Sequence, residues 1–526
     1  MTGVPEVHPR QPLHNPTWRP GRAWLLAPFG FLALAIWLYT PYAARPYDVM
    51  DFFDYLPILR GSASTLDAIS TMTRHYAEQG RFNPAAFAGV GLKWRLFGED
   101  MLGWQILRFA QMTVVSGLTY ALLRRLELGR LGALGGALIY LASPPAAVVW
   151  MRMNTGEPSG SILLVIFMLL MLRWSDQTVP RWGLVAIAAT VVGIGLFKEF
   201  LLVALIVPGV VLTLLTSPGD AMSLRTLYRS RRLLAAGFGG LLVALPVILV
   251  ALNAPPTAYS RGFGAGAFSA ASVLFPALAT LFPFAPADGE GGVLLLLAVC
   301  AFVLLLVAGW GLVLRNGNRT RRAWLLLALG IGLPLSGALA YAAWPTYALM
   351  YALPFQVGTA VLVATSITAL DRFVPRARPM ILVSGALILI MMVTAAHRYA
   401  RFIDRSLTMT RELAVYVGSL DPAVPVRFEA CPGLQTDLWS NYGEIVGRYA
   451  TSLSLSHPRV VDAQCGIRDS DAVVESHAPL IVLSDTLVAR RVPIQHRRYS
   501  WKAIDWRTMR IRERGFVVAM PASSQQ

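Results

Sequence analysis

Charge is scarce in this chain, and negative charge is scarcest. Only 14% of the 526 residues are Asp, Glu, Lys or Arg, against about 25% in soluble domains. With 55% hydrophobic residues, that shortage excludes an ordinary soluble fold. Acidic residues number 29 against 46 Lys and Arg, a net charge of +17. The surplus is not a nucleic-acid signature, because much of the Arg sits in short loops between apolar runs, as the positive-inside rule gives. Three cysteines leave room for one internal disulfide at most. Cys300 falls in an apolar run and reads as inert packing. Cys431 and Cys465 lie in the polar C-terminal region, where they either pair, if exported, or stand as unrelated thiols. The seven His are scattered, and His75 stands alone as a surface residue. No metal site has convincing spacing, and no cofactor is expected; a divalent cation on an acidic cluster is the weaker alternative.

What the chain has instead is a series of apolar runs of about 18 residues or more, long enough to cross a bilayer. The N-terminal tail, residues 1–22, is polar and carries Arg10, Arg19 and Arg22. No small-residue cleavage site follows it, so the first span is read as retained, with a cytoplasmic N-terminus. Spans are expected near 23–42, 104–122, 131–150, 159–173, 233–253, 293–314, 323–344, 348–370 and 380–396. The stretch 183–216 is interrupted only by Lys198-Glu199 and has basic loops at both ends. It therefore needs two crossings, with that pair at the outer turn, where charge avoids hydrocarbon. The piece 268–284 is a re-entrant or interfacial candidate. The sum is an all-α polytopic membrane protein of about eleven transmembrane helices, residues 23–396, with every basic loop on one side. A first outer loop covers 43–103, and a small extracytoplasmic α/β domain covers 397–526.

Against this background an acidic run stands out just after the first span: Asp48-Val-Met-Asp51-Phe-Phe-Asp54-Tyr55. At a spacing of three, the carboxylates share one face of a helix. They read as a general base or paired-carboxylate site at the membrane surface, or as acids at the positive end of a helix. Downstream come Gly80-Arg81-Phe82-Asn83-Pro84 and Lys93-Trp94-Arg95-Leu96-Phe97-Gly98. Gly80 and Pro84 bracket a turn. Arg81, Lys93 and Arg95 among aromatics suit either interfacial anchoring or capture of a lipid phosphate.

These residues carry a resemblance. One helix, an outer loop opening with Asp, a Gly…Pro turn and Leu-Phe-Gly before the second span resemble the GT-C superfamily of integral-membrane glycosyltransferases. The nearest groups are the protein O-mannosyltransferase and aminoarabinose-transferase types. The likeness covers roughly residues 20–400, mostly as topology. In such enzymes the first outer loop carries the catalytic Asp and lies along the membrane as two amphipathic helices; the matching positions are Asp51 or Asp54, with Asp48 on the same face. The acid before Pro in the next outer turn matches Thr155-Gly156-Glu157-Pro158, and Lys198-Glu199 also resembles bacterial members. The chain departs from its relatives twice. Asn83-Pro84 stands where Lys-Pro-Pro is common, and Met350-Tyr351-Ala-Leu-Pro354 stands where Arg-Tyr-x-x-Pro is common.

The resemblance implies a donor sugar on a polyprenyl phosphate in the outer leaflet of a bacterial inner membrane. It implies an extracytoplasmic acceptor hydroxyl on a glycan, lipid or protein, and transfer with inversion. Arg81, Lys93, Arg152 and Lys198 are the candidate phosphate-binding cations, and Glu157, Glu199 and Tyr351 the further cavity residues. Arg152 reads equally as a snorkelling residue and Lys198-Glu199 as a structural ion pair. The competing class is a transporter or flippase for a lipid-linked or glycan substrate. That class places ionisable groups near the midplane of broken helices, whereas here they collect at the outer rim. A polysaccharide polymerase or ligase would carry a longer late outer loop than 254–292. A membrane anchor for a working C-terminal domain needs far fewer spans. Trp439, Tyr442 and Tyr449 in that domain read as sugar-stacking or core aromatics.

Overall fold

A computed structural model of the chain describes residues 22–40, 52–78, 82–151, 156–174, 179–198, 201–216, 235–246, 249, 270–282, 292–315, 320–341, 349–423 and 426–430. Near the C-terminus it describes 446, 447, 449–451, 453, 455, 456, 459–464, 480–483, 504–511 and 514–521. Among the described residues six helices are long and apolar enough to cross a membrane, and five further apolar helices are shorter. This is a membrane protein.

Helix α1 (Arg22–Tyr39) is followed by three helices where a polar loop was expected: α2 (Phe52–Gly61), α3 (Thr65–Glu78) and α4 (Pro84–Phe97). They have a small core of their own. Ala68, Met72 and Tyr76 recur every fourth residue on α3 and bury one stripe. That stripe packs with Tyr55, Leu59, Phe87 and Val90, and with Trp104 at the head of α5 (Met101–Arg125). Asp100 caps α5 by accepting from the Leu102 amide at 3.0 Å. The exposed Arg60–Glu99 ion pair closes the layer at 2.8 Å.

The bundle continues through α6 (Arg130–Ala142) and α7 (Pro144–Met151). A single span was expected here, and the chain breaks it at Ser143. A residue before Pro is driven out of the α region, and Ser143 is extended at φ −71°, ψ 150°. Its hydroxyl then accepts from the Ala146 amide, capping α7. Helices α8 (Glu157–Trp174), α9 (Arg181–Phe197), α10 (Leu201–Ala204), α11 (Ile206–Thr216) and α12 (Ala235–Pro246) follow. The helix break expected at Lys198-Glu199 is present: α9 stops at Phe197 and Lys198 is extended. The next helix, α13 (Ala270–Leu281), is short and docks into the bundle, where the Thr280 carbonyl accepts from the Thr359 hydroxyl.

Helices α14 (Gly292–Arg315), α15 (Thr320–Tyr341), α16 (Gln356–Phe373) and α17 (Arg378–Gly418) complete the membrane region. A 3-10 turn, Leu349–Phe355, leads into α16. Helix α16 is the central post, with nearly every residue buried against α6, α14 and α15. Gly132 and Gly136 of α6 back onto the Ala364 and Ala360 carbonyls, an approach that leaves no room for a Cβ. Cys300 is not core packing: it is exposed on the apolar surface of α14.

The ends of the bundle differ in charge. Arg124 and Arg125 end α5, Arg173 ends α8, Arg315 ends α14 and Arg372 ends α16. Arg322 at the start of α15 pairs with Glu127 at 2.6 Å, tying two of these turns together. Helix α17 runs past the apolar stretch to Gly418 without a break. Beyond it lie β1 (Val426–Ala430), β2 (Val460–Gln464), β3 (Leu480–Leu483), β4 (Ile504–Ile511) and β5 (Arg514–Pro521). They form one sheet in the order β2-β1-β3-β5-β4. β1 runs parallel to β2 and β3, and β5 runs antiparallel to β3 and β4.

Candidate active site

At the end of the bundle opposite the arginine cluster, three of the expected residues come together: Glu157, Lys198 and Tyr351. Lys198 Nζ lies 3.2 Å from Glu157 Oε1 and 5.2 Å from the centre of the Tyr351 ring. Three separate elements supply them. Glu157 opens α8, where a carboxylate gains from the positive helix end. Lys198 is the residue at which α9 stops. Tyr351 sits in the 3-10 turn before α16.

Local sequence explains the meeting of α8 and α9. A Cβ on Gly156 would stand 2.5 Å from the Phe197 carbonyl oxygen, so only glycine lets the turn before Glu157 approach the residue before Lys198. The same hypothetical Cβ would lie 3.6 Å from Ala86, which puts the first-loop helix α4 against this turn.

Glu157 is 1% exposed, deep burial for a carboxylate, and its charge is met by the ammonium of Lys198. Among the described residues no donor is aligned for a hydrogen bond to Oε2. Buried acceptors are nearly always satisfied, so this oxygen is suited to receive a donor from a bound molecule. The Tyr351 ring adds its negative face to the Lys198 environment.

Lys93 has its ammonium 5.0 Å from the centre of the Trp104 ring. Asp54 lies in the first turn of α2, beside the buried Tyr55. Asp48, Asp51, Arg81, Arg152 and Glu199 lie outside the described residues, as do Cys431, Cys465, Trp439 and Tyr442. Tyr449 is buried as a core aromatic.

The structure adds residues that the sequence reading passed over. Arg108, on α5, is 2% exposed. Its Nη1 donates to Gln111 Oε1 at 3.3 Å, and Gln111 Nε2 donates to Ser159 Oγ at 3.4 Å. Ser159 is two residues beyond Glu157 on α8. The signal was available, since an arginine inside a bilayer-length apolar run marks function by default. Further along α8 a groove of about 580 Å³ opens between Phe167, Met171, Val191, Gly209 and Phe238. Its lining is apolar.

The sequence matches no family model and no curated protein. Among solved structures the chain is similar to ArnT from Cupriavidus metallidurans bound to undecaprenyl phosphate. That match has 15% identity and a TM-score of 0.49, covering 95% of this chain and 98% of that one. It is also similar to the arabinofuranosyltransferase AftD from Mycobacteria, with 15% identity and a TM-score of 0.47 over 88% of this chain and 35% of that one. A third likeness is to an Archaeoglobus fulgidus oligosaccharyltransferase in complex with zinc and sulfate. There the identity is 12% and the TM-score 0.37, over 84% of this chain and 64% of that one.

Proposed function

We propose that the chain is an inverting membrane glycosyltransferase of the GT-C type. It moves a sugar from a polyprenyl-phosphate donor to a hydroxyl of an extracytoplasmic glycan, lipid or protein. The observation that carries this reading is the meeting of Glu157, Lys198 and Tyr351 beside α4, at the bundle end away from the arginines. The positive-inside rule makes that end extracytoplasmic, in a bacterial inner membrane.

In this reading the acceptor oxygen attacks the anomeric carbon while Asp51 or Asp54 takes its proton. General-base help of this kind is worth roughly 10²–10⁴-fold. The bond from the anomeric carbon to the phosphate oxygen breaks, and polyprenyl phosphate leaves. Its charge rises by one as it departs, so a fixed cation such as Lys198 lowers the barrier without needing to reorganise. Phosphate is a good leaving group, and neither a general acid nor a cofactor is required. The polyprenyl chain has an apolar place to lie in the groove along α8 and α9, deeper than Glu157 and Lys198 on the same two helices.

The test is transfer of labelled sugar from a polyprenyl phosphate in membranes carrying wild type, Asp51→Asn or Asp54→Asn. Loss of about 10²-fold or more in one variant is expected. Equal transfer by all three would remove the general base from the account.

A further inference from the structure

The sheet beyond α17 brings together two positions that lie far apart in the sequence. β1 ends at Ala430 and β2 at Gln464, and the next residue in each case is a cysteine: Cys431 after β1 and Cys465 after β2. The two strands are parallel neighbours. Their register runs without a slip from Val426 opposite Val460 to Ala430 opposite Gln464. The residues that follow these last partners therefore fall on one and the same register position. In-register positions of parallel strands share one face of the sheet, and adjacent strands stand about 4.8 Å apart. A disulfide spans roughly 4.4–6.8 Å between Cα atoms. Continuing each strand by a single residue, about 3.8 Å of chain, thus sets the two cysteines at bridging distance.

We propose that Cys431 and Cys465 form a disulfide that staples the C-terminal ends of β1 and β2. This goes beyond sugar transfer and rests on one part of the reading above, the side of the membrane on which the sheet lies. Helix α17 starts at Arg378, close in sequence to Arg372 at the arginine-rich end of α16. Its apolar stretch runs to His397, long enough to cross the bilayer, and the helix continues to Gly418 before the sheet begins. The sheet is thus delivered to the end opposite the arginines, which the positive-inside rule makes extracytoplasmic. Disulfides form and persist there. The bond forms by exchange with an exported thiol oxidant that carries a disulfide of its own. One cysteine thiolate attacks that disulfide, and the second displaces the oxidant from the mixed disulfide. One S–S bond forms in the chain, one breaks in the oxidant, and two electrons and two protons pass to the oxidant as its dithiol. Cys300, on the apolar surface of α14, takes no part. The staple suits its place. β2 stands at the end of the strand order and, among the described strands, pairs with β1 alone. A covalent link to that neighbour closes the β1–β2 crossover, which holds the buried Val446, Tyr449 and Ala450, and restricts the unfolded chain.

The experiment uses the full chain, made in bacteria with an oxidising extracytoplasmic compartment and purified without reductant. Thiols are alkylated with a maleimide in denaturant, before or after reduction, and the adducts are counted by mass. The chain has three cysteines, so wild type is expected to take one adduct, on Cys300, before reduction and three after it. A proteolytic fragment should hold the Cys431 and Cys465 peptides together until it is reduced. Cys431→Ser should free Cys465 and take two adducts with or without reduction. Three adducts on unreduced wild type would overturn the proposal, as would either cysteine linked to another chain. If three are found, a membrane-impermeant maleimide applied outside the cells tells two failures apart. Labelling of Cys431 and Cys465 from outside would mean that the side is right and the strand ends are not bridged. Labelling only after lysis would mean that the sheet lies on the other side of the membrane.

Discussion

Glu157 and Lys198 illustrate how differently one contact serves stability and chemistry. Each charge alone, buried at a helix end, would be expensive; together they satisfy one another at 3.2 Å. Glu157→Ala removes the carboxylate beside an ammonium that is only 16% exposed, at a cost on the order of 3 kcal/mol. Lys198→Met alone strands the carboxylate in the same way. The double variant Glu157→Gln/Lys198→Met removes both charges and should regain most of the lost thermal stability, measured as the melting temperature in detergent. Sugar transfer should remain low in all three. Recovery of transfer together with stability in the double variant would mean the pair is only a brace. Lys198 was legible in the sequence because it interrupts an apolar run with a charge that must be placed somewhere, and Glu157 through the resemblance carried by Thr155-Gly156-Glu157-Pro158. Arg108 interrupts a run just as visibly, yet only Gln111 and Ser159 show which neighbouring helix it faces.

At the scale of elements, the turn before α8 is the joint on which the site depends. Gly156→Ala places a methyl 2.5 Å from the Phe197 carbonyl oxygen. Backbone cannot move aside as a flexible side chain can, so α8 and α9 must part and the Glu157–Lys198 distance must open. The expected outcome is a clear fall in transfer, on the order of tenfold or more for a misplacement near 1 Å, with only a modest drop in melting temperature. Transfer at the wild-type rate would show that the joint tolerates separation. Not all element boundaries were readable beforehand. The break at Lys198 is announced by charge, whereas the break at Ser143 hides in an apolar run and follows only from Pro144. Hydropathy marks where the apolar stretch of α17 ends near His397 but not where the helix ends, because no Gly or Pro interrupts the chain before Gly418. The first loop was expected to lie on the membrane as two amphipathic helices. Its described residues form three, and the stripe Ala68, Met72 and Tyr76 gives α3 a face to bury against Tyr55 and Phe87.

For the whole molecule, charge distribution orders the function. The arginine-rich ends of α5, α8, α14 and α16 mark one side, and the Glu157–Lys198–Tyr351 cluster with the first-loop helices marks the other. A transporter would expose its ionisable groups to both sides in turn, near the middle of the bilayer; among the described residues Glu157 and Lys198 meet at one end of the bundle, above an apolar groove. That asymmetry suits bond-breaking at one surface. The decisive measurement follows a doubly labelled polyprenyl-phosphate sugar, marked in the sugar and in the lipid, in proteoliposomes containing the protein and an envelope-extract acceptor. The account predicts that the labels separate, with sugar passing to acceptor and free polyprenyl phosphate accumulating in equal amount, and that Lys198→Met abolishes the separation. Movement of the intact lipid to the opposite leaflet with both labels still joined would contradict it.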